Sequence, residues 1–476
     1  MFDRFETAGP GFINFFLGTE FYSAVIREIL ANPEAYGRSE YGRDEKVMVE
    51  FVSANPTGPM HMGNARGGAL GDCLAAVLDK AGYNAWREFY VNDAGNQIEK
   101  FGCSLEARYL QIFKGDEIEF PEDGYQGEDI KDLAKEYADL NGDSLVNVSA
   151  KERKKALVDY ALPKNIKKMQ ADMEKYKIFY DKWFFESELH KSGAVKAVVD
   201  LLTKKGLTYE KEGAVWYKNK EVLTQKLLKE GKSQKYIDNL ELKDDVLIRQ
   251  NGNPTYFTAD IAYHKNKFDR GFTTLIDVWG ADHHGHVMRM KGAMDAIGYD
   301  GDKLNVVLMQ LVKLVKDGEL VKMSKRTGKA IQLGDLLDEV PVDSARFLFN
   351  TKEANTQMDF DLDLAVSQDN QNPVYYVQYA HARICSIFKS LAKEGISPRE
   401  CTDAELALLT APEEKELINH LASYTNEIIS AAKDYDPTKV TRYVTQLATL
   451  FHKFYNACRV KGEEEGLMQA RLALCN

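Results

Sequence analysis

Residues 46–68 read KVMVEFVSANPTGPMHMGNARGG. The first half is apolar and β-branched, as in a buried strand, and Asn55-Pro56 stops it. Thr57-Gly58-Pro59 continues as a loop. The run Gly67–Leu78 that follows is small and apolar, suited to a helix packed closely on a sheet. Ala85–Val91 reads as a second strand. Strand, glycine-bearing loop, helix and strand make a βαβ unit. That predicts an α/β fold with a parallel sheet and ligands at the strands' carboxyl ends.

Working outward, residues 104–245 break this pattern with mixed-charge runs at Lys151–Lys155 and Glu241–Asp245. Such runs are solvated helix faces, and the block reads as an insertion in the α/β domain. Strand-like runs return at Val246–Arg249, Thr273–Trp279 and Asn305–Leu311, and from Pro373 onward only helices are expected. Residues 1–44 are short, aromatic and glycine-bearing.

The chain has 476 residues, enough for several domains. It is 44% hydrophobic and 28% charged, which excludes a disordered chain or a disulfide-rich miniprotein. No run reaches the ~20 apolar residues of a membrane helix, and Met1–Glu6 lack the features of a signal peptide. Six scattered cysteines contain no CxxC pair, which fits a reducing, cytoplasmic setting. The net charge of −11 excludes a non-specific coat on nucleic acid. Residues 366–476 carry only −2 of it, with 12 Lys+Arg against 14 Asp+Glu. A folded RNA read at a few shaped contacts remains compatible with that balance.

Two clusters carry chemistry. Pro59–Arg66 (PMHMGNAR) lies at the strand-to-helix turn, where free N–H groups and the positive dipole end suit a phosphate. Gly63 would let a flat ring approach the backbone, and His61 can donate to a phosphate that gains charge. The second cluster is the basic, glycine-bounded stretch Lys316–Gly328, with Lys322, Ser324 and Lys325. Mobile ammonium groups closing over a polyphosphate act by positioning and electrostatics. Glu50 sits inside an apolar strand, where a carboxylate needs a cation, either a substrate or an internal arginine. GADHHGH at 280–286 is rich in potential metal ligands. No distant cysteine or histidine pair completes a zinc site, so no protein-bound metal is expected.

Together the two clusters resemble the HIGH and KMSKS signatures of class I aminoacyl-tRNA synthetases, here HMGN and KMSKR. VEFVSANPTGPMHMGNARGG, DAGNQI (93–98), GADHHGH and NPVYYVQYAHARI (372–384) resemble the arginyl-tRNA synthetase family in particular. The resemblance implies a Rossmann-like α/β catalytic domain with an inserted domain, followed by an all-α anticodon-binding bundle. The expected boundaries are 1–44 for a remnant of an N-terminal tRNA-contacting domain, 45–115 and 245–365 for the two catalytic halves, 116–244 for the insertion, and 366–476 for the bundle. Both ends look cut relative to the family.

The implied reaction joins L-arginine to ATP, with Mg²⁺ on its phosphates, and passes the arginyl group to the 3′-terminal adenosine of arginine tRNA. The resemblance implies His61, Asn64, Lys322 and Lys325 as transition-state stabilisers. It implies Gly63, His286 and Ser324 as further ATP contacts. Glu50, Ser53, Asn55, Tyr256, Asp260 and His284 are implied for arginine, and Phe12, Asn14, Tyr376 and Tyr379 for tRNA. Asn64 replaces the second histidine of HIGH; its amide still donates but carries no positive charge. A monomer is expected. The alternatives are a non-catalytic tRNA-binding relative, or a nucleotidyl transferase activating another carboxylate.

Overall fold

The computed structural model describes residues 2–321 and 331–476. Its central sheet has five strands, in chain order β1 (Lys46–Glu50), β2 (Asn84–Val91), β3 (Lys182–Phe185), β4 (Thr274–Gly280) and β5 (Leu304–Met309). The spatial order is β5-β4-β1-β2-β3, and every neighbouring pair is parallel. The order reverses at β1, so a crevice opens beyond the carboxyl ends of β1 and β4.

Three helices frame that crevice: α1 (Met62–Lys80), α2 (Tyr256–Asp269) and α3 (His284–Ile297). The small residues of α1 let it lie close to the sheet. A Cβ on Gly71 would stand 2.2 Å from the Phe51 ring, so no larger residue fits without moving Phe51. Buried Arg66 ties α1 to the loops beyond β5, donating to the carbonyls of Gln310, Glu353 and Thr356 at 2.8–3.0 Å.

Three features depart from the sequence reading. The strand at 46–56 ends early, at Glu50, because the backbone turns left-handed at Val52 and Ser53 (φ 71° and 43°). The stretch 116–244 is also not one separate body. Helices Glu128–Asn141 and Ala150–Lys175 share a small core with Asn96–Lys114, but the chain then returns to the main sheet as edge strand β3. The run at 246–249 likewise pairs outward: strand Asp245–Ile248 joins Ala214–Tyr217 and Thr208–Lys211 in an antiparallel sheet. Apolar content marks a strand but does not say which sheet receives it.

The C-terminal part from Pro373 is helical throughout, from Pro373–Ala392 to Glu465–Cys475. Its core also takes Tyr22, Val25 and Ile26 from helix Thr19–Ala31 near the other end of the chain. Arg27 pairs with Asp403 across that junction at 2.7 Å, and the Tyr36 hydroxyl donates to the Leu421 carbonyl at 2.8 Å. Among the described residues, no helix is long and apolar enough to cross a membrane.

Candidate active site

Three carboxylates lie side by side on neighbouring strands: Glu88 on β2, Glu50 on β1 and Asp277 on β4 are register partners in sequence. All three are buried, so each needs a cation or donors. Helix α2 supplies them at one-turn spacing. The Lys267 ammonium donates to Glu50 Oε2 at 2.5 Å and to Asp277 Oδ1 at 2.8 Å. His264 Nε2 meets Asp277 Oδ2 at 2.7 Å, and its Nδ1 faces the Asp260 carbonyl at 2.7 Å. Both ring nitrogens thus face oxygens. The Tyr263 hydroxyl and Arg270, just past α2, close on Glu88 at 2.8 Å.

This pairing divides the acids. Burial opposes charge on Asp277, but Lys267 and His264 hold its carboxyl down to about 2. Burial wins at Glu50 and pushes it up, with Lys267 opposing. Glu50, His264 and Asp277 converge closely enough to resemble a metal site, yet Lys267 already bonds both carboxylates. The cation that Glu50 required is therefore an internal lysine.

Beyond these strand ends lies a cavity of about 770 Å³. Glu50, Ser53 and Asn55 line it from the exit of β1, and Tyr90 from β2. Tyr256, Phe257 and Asp260 line it from α2, and Trp279, His286 and Arg289 from β4 and α3. The left-handed turn at Val52–Ser53 folds Ser53 back: its hydroxyl donates to Glu50 Oε1 at 2.7 Å and accepts the Tyr90 N–H at 3.2 Å. A β-branched residue in that conformation costs about 1–3 kcal/mol, strain of a kind concentrated at ligand sites. His286 Nε2 sits 3.1 Å from Asp260 Oδ2, and Arg289 grips Asp245 with its Nε at 3.1 Å and its terminal nitrogen at 2.5 Å.

At the start of α1, His61 and Asn64 cap the helix reciprocally. The Gly63 N–H donates to His61 Nδ1 at 3.3 Å, and the His61 N–H donates to Asn64 Oδ1 at 2.9 Å. An accepting Nδ1 leaves the hydrogen on Nε2, and burial pushes the ring's pKa below its ordinary value, which favours this neutral form. Among the described residues, the Asn64 nitrogen has no hydrogen-bond acceptor. Past 322–330 the chain returns beside this turn, where the Leu333 N–H donates to the Met60 carbonyl at 2.9 Å and Gln332 bridges His61.

A family model described as "tRNA synthetases class I (R), catalytic domain" matches residues 25–385, about three quarters of the chain. The chain belongs to the class I arginyl-tRNA synthetase family. A second family model, "DALR anticodon binding domain", matches residues 377–476. The arginine–tRNA ligase of Ruminiclostridium cellulolyticum is 56% identical over 474 residues, which is 99% of this chain and 81% of that protein. That of Acetivibrio thermocellus is 55% identical over the same length and shares. A solved Campylobacter jejuni structure described as an arginyl-tRNA synthetase superposes with a TM-score of 0.82 at 34% identity, covering 96% of this chain and 95% of that one. The Thermus thermophilus arginyl-tRNA synthetase, at 22% identity, has a TM-score of 0.72 over 100% of this chain and 85% of its own, which speaks to the fold alone. The α/β class and helical anticodon-binding module expected from sequence match this synthetase family.

Of the residues expected from sequence for this synthetase, Glu50, Ser53, Asn55, Tyr256, Asp260 and His286 line this cavity together. His284 begins α3 but is absent from the cavity wall, although His283, Gly285 and His286 contribute. His61, Gly63 and Asn64 stand apart from that wall, at the start of α1. Lys322, Ser324 and Lys325 lie outside the described residues. Phe12 and Asn14 are exposed on a two-stranded hairpin of Phe2–Ala8 and Phe12–Leu17. Tyr375 and Tyr376 are half-buried, and Tyr376 packs against the C-terminal core. Tyr379 is exposed beneath the Arg383 guanidinium.

Lys267, His264, Asp277, Tyr90 and Glu186 were not singled out from sequence. Asp277 and Glu88 each interrupt an apolar strand, and the spacing of Tyr263, His264, Lys267 and Arg270 follows one helix face; both signals were present in the chain. Glu186 had no such signal. It is buried where β3 ends, beside His190 Nε2 at 3.2 Å.

Proposed function

We propose that this chain activates L-arginine with MgATP and transfers the arginyl group to the 3′-terminal adenosine of arginine tRNA. The observation carrying this reading is the acidic cavity at the β1–β4 switch point, in a chain of the arginyl-tRNA synthetase family. Arginine has two cationic groups and one carboxylate, and the cavity offers Glu50 and Asp260 with the donors Ser53 and Asn55. In this reading Glu50, Ser53 and Asn55 hold the amino-acid end, with His284 beside it. Tyr256 and Asp260 close on the guanidinium.

ATP lies along the α1 turn, its phosphates on the helix's free N–H groups. Gly63 leaves room for the nucleoside, His61 donates through Nε2–H, and Asn64 through its amide. His286, Ser324, Lys322 and Lys325 complete the nucleotide contacts. Arginine's carboxylate attacks the α-phosphate, and charge builds on the leaving pyrophosphate. His61, Asn64, Lys322 and Lys325 stabilise that charge electrostatically, without a covalent nucleophile. Mg²⁺ enters with ATP as part of the substrate, and no protein-bound metal is required.

Phe12 and Asn14 on the hairpin, and Tyr376 and Tyr379 on the C-terminal helix, form the proposed tRNA contacts. The exposed Phe12 and Tyr379 rings offer faces on which unpaired bases stack. We assign residues 45–115 and 245–365 to the catalytic domain, 116–244 to a connective segment that lends it one strand, 366–476 to anticodon binding, and 1–44 to tRNA contact. The protein acts as a cytoplasmic monomer.

The test is aminoacylation of purified arginine tRNA with each of the twenty amino acids. Arginine alone is incorporated, and Asp260→Asn raises the arginine KM at least about a hundredfold while moving the ATP KM little. Absence of arginine incorporation overturns the reading.

A further inference from the structure

Tyr90 is the penultimate residue of β2, and its backbone N–H is tied to Ser53 Oγ at 3.2 Å. Its ring is clamped, with its centroid 4.3 Å from Tyr263 and 6.2 Å from Phe184. The residue is only 8% exposed. Yet its hydroxyl, in the cavity wall, has no hydrogen-bond partner among the described residues. A buried hydroxyl left unpaired destabilises a fold, and phenylalanine would pack in the same space without that cost.

The surroundings say what would pair it. Burial pushes its ionisation far above the ordinary range, and Glu186, by its charge and as the acceptor that the O–H faces, then Asp260 and Glu50 push it further. The hydroxyl is therefore a neutral phenol on the acidic side of the cavity, nearest in effect to Glu186. That carboxylate is itself fixed: His190 lies 3.2 Å from it, and the Asn92 amide, with its nitrogen facing the acceptors, donates to it at 2.8 Å. A guanidinium carries five N–H donors and no acceptor, so two carboxylates alone leave donors over.

We infer that Tyr90 is a specificity-determining residue for arginine, its hydroxyl oxygen accepting a guanidinium N–H while its O–H turns to Glu186. This rests on the arginine reading above. It assigns the hydroxyl oxygen a donor that arrives only with the substrate. It also explains tyrosine at a place where the ligand-free protein would be better served by phenylalanine.

The decisive variant is Tyr90→Phe, which removes the hydroxyl and keeps the ring. Arginine affinity, measured by titration calorimetry, should fall about tenfold, with ATP affinity unchanged. The unfolding temperature of the ligand-free protein should hold or rise, whereas a structural role for the hydroxyl would lower it. Unchanged arginine binding overturns the inference, as does a lower unfolding temperature accompanied by weakened binding of both substrates. Charging by the wild-type enzyme separates the two failures. If it charges another amino acid, the functional reading falls. If it charges arginine and Tyr90→Phe still binds arginine normally, only this inference falls.

Discussion

The fully buried Lys267 ammonium stands 2.5 Å from Glu50 Oε2. It makes its second carboxylate contact with Asp277 on the neighbouring strand. One side chain from α2 thus compensates two acids, Glu50 at the carboxyl end of β1 and Asp277 midway along β4. The floor of the cavity is in this way an ion network within the protein, with Glu50 reaching from it into the open space.

Removing the shared cation should be severe. Lys267→Met leaves two buried carboxylates facing each other and should lower unfolding free energy by about 3–5 kcal/mol. Glu50→Gln, which keeps a hydrogen-bonding group of similar shape, should cost less. Urea denaturation of both variants checks the ranking; a Lys267→Met midpoint equal to that of wild type would contradict it.

The same network sets an acid limb. The Asp277 carboxyl is held below the ordinary aspartate range, down to about 2, with Lys267 and His264 overcoming burial. A depressed carboxyl stabilises the fold above its unfolded pKa and loses that contribution as pH falls through the folded value. Roughly 2 kcal/mol should therefore be present above pH 4 and disappear between about pH 4 and 2. Glu50 has the opposite sign, since its raised pKa favours the protonated folded form. Stability against pH for wild type and Asp277→Asn measures the Asp277 share, and the variant's curve should be flatter in that window.

Asn64 has two separable duties. Its oxygen accepts the His61 N–H and caps α1, while its nitrogen has no acceptor among the described residues. Asn64→Asp keeps the acceptor but replaces the donor with negative charge beside the proposed phosphates. Unfolding temperature should stay near wild type while kcat falls at least about a hundredfold. Asn64→Ala should cost about 1 kcal/mol of stability as well. Steady-state charging beside thermal unfolding reads both, and full activity in Asn64→Asp would remove Asn64 from the catalytic set.

Gly71 links packing to the pocket. A Cβ there would stand 2.2 Å from the Phe51 ring, and Phe51 follows Glu50 directly. Gly71→Ala should destabilise by about 1–3 kcal/mol through overpacking and raise the arginine KM as the Glu50–Ser53 turn shifts. Charging kinetics and a denaturation curve test both effects together; a neutral outcome in each would show that Phe51 moves freely.

Much of this protein is local and hence readable from sequence. β1, β2, the glycine-rich start of α1 and the helical C-terminal part follow from apolar patterning and breakers, which act over a few residues. The motif HMGN lies at the strand-to-helix turn for the same reason, and Tyr256 and Asp260 share a helix face because they are one turn apart. Sequence also showed that Glu50 needed a cation. It could not show that the cation would be Lys267, 217 positions away, because that pairing exists only once α2 lies across β1 and β4. The membership of β3 in the main sheet, the outward pairing of Asp245–Ile248 and the unpartnered Tyr90 hydroxyl are of the same kind. Each depends on which surfaces meet when distant segments pack, and burial turns a charge or a hydroxyl that water would satisfy into a demand for a specific partner.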